Sequence, residues 1–171
     1  MTTTSTCRVY GSDCPICKSG TLQDMPCNTP TQVEIKVKLL SPNATLTRAT
    51  AGASGFDLHL HDPAFIMAGE VRTLPVGVAL EIPPGYEGQI RPRSGLSRMG
   101  VNVAFGTIDS DYRGAIGVIV TNNSGGPLRC DAGMRIAQLV FVPVVIPTLT
   151  IVYELGTTDR GSGGFGKSAQ D

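Results

Sequence analysis

The sequence predicts an all-β domain of the sandwich, jelly-roll or barrel kind, with at most one short helix. Three observations carry this. Apolar and charged residues alternate with period two in Val33-Glu34-Ile35-Lys36-Val37-Lys38-Leu39, the pattern of a half-buried strand. Turn signals recur at short intervals through the next hundred residues. The chain of 171 residues holds 21 glycines and 12 prolines but no tryptophan, and only Ser94 to Met99 reads as a short helix. Many short strands with frequent turns suit these all-β architectures.

The elements follow in chain order. Residues 1–30 are rich in Thr, Ser, Cys and Pro with no alternating run, and form an appendage. The domain opens at Val33–Leu39 and turns at Ser41-Pro42-Asn43. Ala51 to Leu58 brings small residues into a strand, with Phe56 or Leu58 in the core. His59 and His61 alternate with Leu58 and Leu60, so a continuing strand would present both histidines on one solvated face. Without a third ligand they make a poor metal site. Val71–Ile82 is a long strand-like run ended by Pro83-Pro84-Gly85, and Gly88–Arg91 is the next. Ala115–Thr121, Arg135–Val145 and Thr148–Tyr153 complete the strands, separated by Asn122 to Pro127 and Asp131-Ala132-Gly133. Cys130 reads as an ordinary buried or strand residue. The last fifteen residues are glycine-rich and non-periodic. The expected organisation is therefore an appendage at 1–30, a β-domain at 31–155 and a flexible flap at 156–171.

Composition narrows the function. Fourteen basic residues balance 14 acidic ones, which argues against a general nucleic-acid or membrane-surface binder. No long apolar run or charged-then-apolar leader is visible, so a cytoplasmic or nuclear setting is expected. Five cysteines are unevenly placed: Cys7, Cys14, Cys17 and Cys27 near the start, and Cys130 alone. An odd count without an export signal indicates reduced thiols. Cys14-Pro15-Ile16-Cys17 resembles half of a zinc knuckle, and Cys7 and Cys27 would complete four thiolates. The competing reading is a flexible tail with reduced cysteines.

Several segments are candidates for chemistry. Asp109-Ser110-Asp111-Tyr112 reads either as a hairpin turn or as the source of a carboxylate that holds and deprotonates water. The residues alone do not choose between Asp109 and Asp111. Arg91-Pro92-Arg93-Ser94-Gly95-Leu96-Ser97 offers two arginines and a hydroxyl at a helix start, either an anion site or a helix capped by Ser94 beside solvated arginines. Arg135 and Gln138 stand three apart, so a regular strand points them to opposite faces.

Five segments, in this order and spacing, resemble the homotrimeric dUTPase family. They are Ser54-Gly55-Phe56-Asp57-Leu58, Pro92-Arg93-Ser94-Gly95-Leu96, Gly106 to Gly114, Arg135-Ile136-Ala137-Gln138, and Arg160 to Ser168. Each motif alone is modest, while five in order are specific. The resemblance implies hydrolysis of dUTP to dUMP and pyrophosphate, which limits uracil entry into DNA. It places the catalytic base at Asp109 and packs Tyr112 against the deoxyribose. Uracil would be read by main-chain groups of the hairpin, around Gly106, Thr107 and Gly117. Arg93, Ser94, Gly95 and Gln138 would hold the phosphate chain. Asp57 would touch the Mg2+ shell through water. Arg160 would pair with the γ-phosphate, Phe165 would cover the base, and Gly166, Lys167 and Ser168 would close on the terminal phosphates. The family also implies a homotrimer whose sites draw on all three chains. Phe56, Phe105, Met134 and Lys167 depart from the family's commoner residues without removing a proposed catalytic group. Two alternatives stand beside this reading: a dCTP deaminase of the same fold, and a dUTP-binding regulator whose appendage meets an unknown partner.

Overall fold

The computed structural model describes residues 33–163. Twelve strands and one helix are defined there: β1 (Lys36–Leu39), β2 (Leu46–Thr47), β3 (Phe56–His59), β4 (Ala64–Ile66), β5 (Val71–Pro75), β6 (Val78–Glu81), β7 (Tyr86–Arg91), α1 (Ser94–Arg98), β8 (Val101–Val103), β9 (Gly106–Ile108), β10 (Gly117–Asn122), β11 (Leu128–Cys130) and β12 (Arg135–Pro143). Every pairing is antiparallel. The largest sheet has the order β2-β3-β12-β7-β9 and the next β5-β10-β8, while β1-β6 and β11-β4 form two-stranded pairs. The chain is all-β, as its composition predicts, but among the described residues the sheets stay open and do not close into a barrel.

Alternation builds the core. Leu58, Ile90, Ile136 and Leu139 of the five-stranded sheet are buried together with Leu74, Val101, Val118 and Val120 of the three-stranded sheet. On β10 the intervening Ile119 points outward, whereas β12, whose register with β3 shifts between Arg135 and Ala137, buries Ile136 and Ala137 in succession. Val71–Ile82 is two strands rather than one. Gly77, at φ +68°, turns the chain between β5 and β6, a left-handed conformation that glycine adopts without steric cost. Cys130 lies buried on β11. Burial pushes its thiol above the usual range, and Asp131 adds to the shift, so the thiol is a neutral core group.

Other expectations need correction. β1 begins at Lys36 and all four of its residues are exposed, because no layer packs over its apolar side among the described residues. β3 ends at His59, so His59 and His61 do not share a strand face. His59 bonds Thr47 Oγ1 at 2.8 Å and the Gly133 carbonyl at 3.2 Å, whereas His61 pairs with Asp62 at 3.0 Å. Thr148–Tyr153 forms no strand. That stretch belongs to an extended tail in which Val145 is 88% and Ile151 100% exposed. Its apolar pattern is strand-like, but no strand pairs with it among the described residues.

One buried polar residue secures the far side. Asn122 is fully buried and donates from Nδ2 to the carbonyls of Ile66 and Gly126, both at 2.9 Å, while its Oδ1 accepts from Ser124 N at 3.0 Å and from Ser124 Oγ. Asn122→Ala would remove all four of these bonds, including the buried one to the Ile66 carbonyl, while Ser124 Oγ keeps its bond to the Gly126 carbonyl. Urea unfolding is expected to show a loss of about 2–4 kcal/mol.

Candidate active site

The candidate residues gather in two clusters, both anchored to the five-stranded sheet. The first follows from register. Gln138 on β12 stands opposite Asp57 on β3 and opposite Arg91 on β7, and Asp57 stands opposite Thr47 on β2. Residues directly opposite share a face, so Thr47, Asp57, Gln138 and Arg91 form one transverse polar row. Small residues make room for it. A Cβ on Gly55 would lie 3.2 Å from Gln138 Oε1 and 3.3 Å from the Leu139 carbonyl.

Asp57 is the centre of this cluster. Its carboxylate is 13% exposed and lies between two guanidinium groups: Arg93 Nε at 3.2 Å from Oδ1 and Arg135 Nη1 at 3.3 Å from Oδ2. Arg93 also donates from Nη1 to the Arg135 carbonyl at 2.9 Å, and Gln138 Nε2 donates to the Pro92 carbonyl at 3.0 Å. Two cations and one anion leave the cluster net positive.

The opposite-face expectation for Arg135 and Gln138 is overturned here. The pairing of β12 with β3 shifts register between Arg135 and Ala137. Such a bulge inserts a residue and re-aims the side chains that follow. Arg135 consequently reaches Asp57, the residue that faces Gln138. The sequence marks Arg135 as half of a polar pair with Gln138 but assigns it no role; its contact with Asp57 follows from the bulge.

Pro92 and Arg93 connect β7 to α1, which opens with Ser94 and Gly95. Arg93 is the N-cap residue, and no side chain caps the helix; Ser94 is therefore not the cap. It is exposed at the first helical position, and a Cβ on Gly95 would meet nothing within 4 Å. The fold itself does not require glycine there.

The second cluster is the hairpin from Gly106 to Gly117. It starts on β9, where Gly106 and Thr107 pair with Ile90 and Gln89. Its turn is closed internally: Tyr112 N donates to the Asp109 carbonyl at 3.1 Å, and Arg113 Nη1 donates to the carbonyls of Ser110 at 2.6 Å and Tyr112 at 2.9 Å. The Tyr112 ring folds over Gly114 and its hydroxyl donates to the Ala115 carbonyl at 3.0 Å. A Cβ on Gly114 would overlap that ring and hydroxyl, and one on Gly117 would lie 2.7 Å from Thr73 Cγ2. Asp109 and Asp111 are both exposed, and no ion pair engages either carboxylate among the described residues.

The clusters lie apart. From β3 to β9 the sheet order runs through three strand spacings, about 14 Å. Asp57 shares a row with Arg91, whereas continuing the β7–β9 register sets Asp109 opposite Glu87, four residues further along. That offset adds about 13 Å along the strands, so the two backbones are separated by about 20 Å. No hydrogen bond or ion pair joins Asp57, Arg93, Gln138 or Arg135 to Asp109 or Tyr112 among the described residues.

The remaining candidates lie elsewhere. Arg160 sits in the tail, where its Nε donates to the Gly163 carbonyl at 2.9 Å. Phe165, Gly166, Lys167 and Ser168 fall outside the described residues, as do Cys7, Cys14, Cys17 and Cys27 of the zinc expectation. Among the described residues there is no group of three or more His, Cys, Asp or Glu that could hold a metal, and no helix is long and apolar enough to cross a membrane. An apolar groove of about 460 Å³ runs past Val33, Ile35, Val37, Leu46, Phe56 and Phe141. It includes no residue of the Asp57 cluster or of the hairpin turn, so cavity size does not mark the chemistry here.

Comparison with known proteins adds a relationship to this geometry. A family model described as dUTPase matches residues 42–169. The deoxyuridine 5'-triphosphate nucleotidohydrolase of Anaeromyxobacter sp. (strain Fw109-5) is 52% identical over 124 residues, spanning 71% of this chain and 84% of that one. The protein of the same name from Picosynechococcus sp. (strain ATCC 27264 / PCC 7002 / PR-6) is 44% identical over 140 residues, spanning 80% and 99%. Among solved structures, a mutant dUTPase of Staphylococcus bacteriophage 80alpha with dUpNHpp superposes with a TM-score of 0.75 at 30% identity, covering 79% of this chain and 98% of that one. A mutant dUTPase from phage phi11 of S. aureus, whose structure details the coordination of a structural Mg(II) ion, gives 0.68 at 28% identity, covering 71% and 97%.

Proposed function

Because this chain belongs to the dUTPase family and hydrolyses dUTP to dUMP, we propose that each catalytic site is completed between protomers of a homotrimer, the base-reading hairpin of one chain meeting the Asp57 cluster of another. The observation that carries this reading is that Asp57 and the hairpin stand three strands apart in the sheet and are offset along it, which corresponds to about 20 Å between Asp57 and Asp109. Two short carboxylate side chains cannot span it to act on one phosphate chain. The exposed tail supports the same reading. Val145, Ile146, Leu149, Ile151 and Leu155 are all more than four-fifths exposed, and burying each side chain against a neighbour would contribute about 1.5–3 kcal/mol.

In the assembled site, Asp109 orients a water for in-line attack on the α-phosphorus and takes its proton. The bond from that phosphorus to the bridging oxygen breaks, and pyrophosphate leaves. Ser94, Gly95, Gln138 and Arg93 hold the phosphate oxygens. Main-chain groups around Gly106, Thr107 and Gly117 read uracil, and unpaired buried groups penalise cytosine. The Tyr112 ring occupies the space that a ribose 2'-hydroxyl would need. Arg160 pairs with the γ-phosphate, and the flap at 156–171, with Phe165, Gly166, Lys167 and Ser168, closes over the nucleotide. The β-domain takes in 31–155, and 1–30 is an appendage to it.

Mg2+ fits this arrangement through water. Asp57 Oδ2 accepts from Arg135 and Oδ1 is ion-paired with Arg93, yet a carboxylate offers about four lone-pair sites, and magnesium usually keeps several waters. When bound, the ion would neutralise charge on the phosphates. The dCTP-deaminase alternative is not favoured, since the curated relatives above are dUTP nucleotidohydrolases.

Two measurements check the reading. The mass of the full chain by light scattering should be three times that of one protomer; a monomer that turns over dUTP at full rate contradicts it. Gly114→Ala should displace the Tyr112 ring and lower kcat/KM for dUTP by about 100-fold, with a smaller loss for UTP. Unchanged kinetics would show that Tyr112 does not set the sugar's place.

A further inference from the structure

We propose that Arg113 is a positioning residue that clamps the hairpin turn from inside and so fixes the Asp109 carboxylate and the Tyr112 ring relative to one another. The proposal rests on the reading that Asp109 is the base and that Tyr112 sets the place of the sugar.

The stretch 109–115 is anchored at its two ends. β9 leads into it through the sheet, where Ile108 pairs with Gly88. Ile116 leads out of it, donating to the Val78 carbonyl at 2.9 Å and accepting from Val76 N at 3.4 Å. Between these anchors the hydrogen bonds among the described residues are all internal to the stretch. There are four: Tyr112 N to the Asp109 carbonyl, Tyr112 Oη to the Ala115 carbonyl, and Arg113 Nη1 to the carbonyls of Ser110 and of Tyr112. Two of the four therefore come from Arg113. Its Nη1 carries two N–H groups, one for each carbonyl, and bonds donated by a cation are stronger than neutral ones.

Arg113 bonds these carbonyls in place of the neighbouring acids. It forms no ion pair with Asp109 or Asp111 among the described residues. A guanidinium seated on Asp109 would occupy lone pairs needed to hold water, and would weaken the carboxylate as a base by favouring its ionised form. The turn is thus stiffened by a cation that leaves the acid's side chain open. Stiffness matters here because a misplacement of about 1 Å at reacting groups lowers a rate by about 100-fold.

The test measures kcat and KM for dUTP and for UTP with the full chain carrying Arg113→Ala or Arg113→Lys. Arg113 is exposed, so both variants should fold, and thermal melting checks this. Arg113→Ala is expected to lower kcat for dUTP about tenfold with KM within about threefold. Its preference for dUTP over UTP in kcat/KM should narrow about tenfold, because the Tyr112 ring loosens with the turn. Arg113→Lys should recover little of either loss, since an ammonium lacks the planar fork. A residue that only stabilises the fold would lower both substrates alike and leave their ratio unchanged. A charge acting on the triphosphate would raise KM and be restored by lysine. Either result overturns the proposal, as does wild-type kcat in Arg113→Ala. Asp109→Asn, measured alongside, separates the premise from the clamp. If it turns over dUTP at the wild-type rate, the reading of the turn fails and the clamp falls with it. If it is inactive while both Arg113 variants behave as wild type, the clamp alone fails.

Discussion

Asp109→Asn is expected to lower kcat by about 10²–10⁴-fold, the usual range for losing a general base, while affinity for a non-hydrolysable dUTP analogue stays within about threefold. The substitution preserves shape and removes only the ability to accept the water's proton. The hairpin should survive it, because the Asp109 contact that closes the turn is made by its main-chain carbonyl, which accepts from Tyr112 N. The side chain is exposed and free of ion pairs among the described residues. Asp111 is the natural control. It sits in the same turn and is also exposed, so general electrostatics would make the two variants alike. Asp111→Asn should retain turnover within a few-fold. Single-turnover kinetics separates the outcomes: equal losses would point to the charge of the turn, and a larger loss at Asp111 would reverse the assignment.

Arg160→Ala should lower kcat/KM by about 10²–10³-fold, the range for removing one donor aimed at charge that grows in the transition state. Arg160 lies in a short turn in which Gly161 N donates to the Thr158 carbonyl at 3.0 Å and Arg160 Nε donates to the Gly163 carbonyl. That partial order matters because fixing each residue of a closing segment costs about 1–2 kcal/mol. Stacking of one aromatic contributes only about 1–3 kcal/mol. Charge-assisted bonds from Arg160 and its neighbours must supply most of the rest. Arg160→Lys should recover only part of the loss, since an ammonium lacks the planar fork. Equal activity for the wild type and Arg160→Ala would remove Arg160 from the closing step.

How much of this was legible depended on whether the cause was local. Strand alternation and turn residues located β7, α1, β10 and β12 closely, since each answers to its own side chains. Short strands such as β4, β8 and β11 escaped notice because three residues carry too little periodicity. The division of Val71–Ile82 hinged on the backbone angle of Gly77, which composition does not encode. The exposed tail around Thr148–Tyr153 has a strand's pattern but pairs with no strand among the described residues, so the local pattern alone did not make a strand. In the site, the small residues and acids of the motifs were visible, whereas the Asp57–Arg135 contact was not. A bulge changes facing without changing spacing, and strict period-two reasoning therefore put Arg135 on the wrong side.

The most direct measurement mixes two inactive chains. Asp109→Asn protein and Ser94→Ala/Gln138→Ala protein are each purified, combined in equal amounts, reversibly unfolded and reassembled, and assayed for pyrophosphate release from dUTP. If the hairpin of one chain meets the phosphate cluster of another, roughly one site in four regains both intact halves, and activity returns to about a quarter of wild type. If each site is built within one chain, every site carries a lesion and the mixture stays as inactive as its parents.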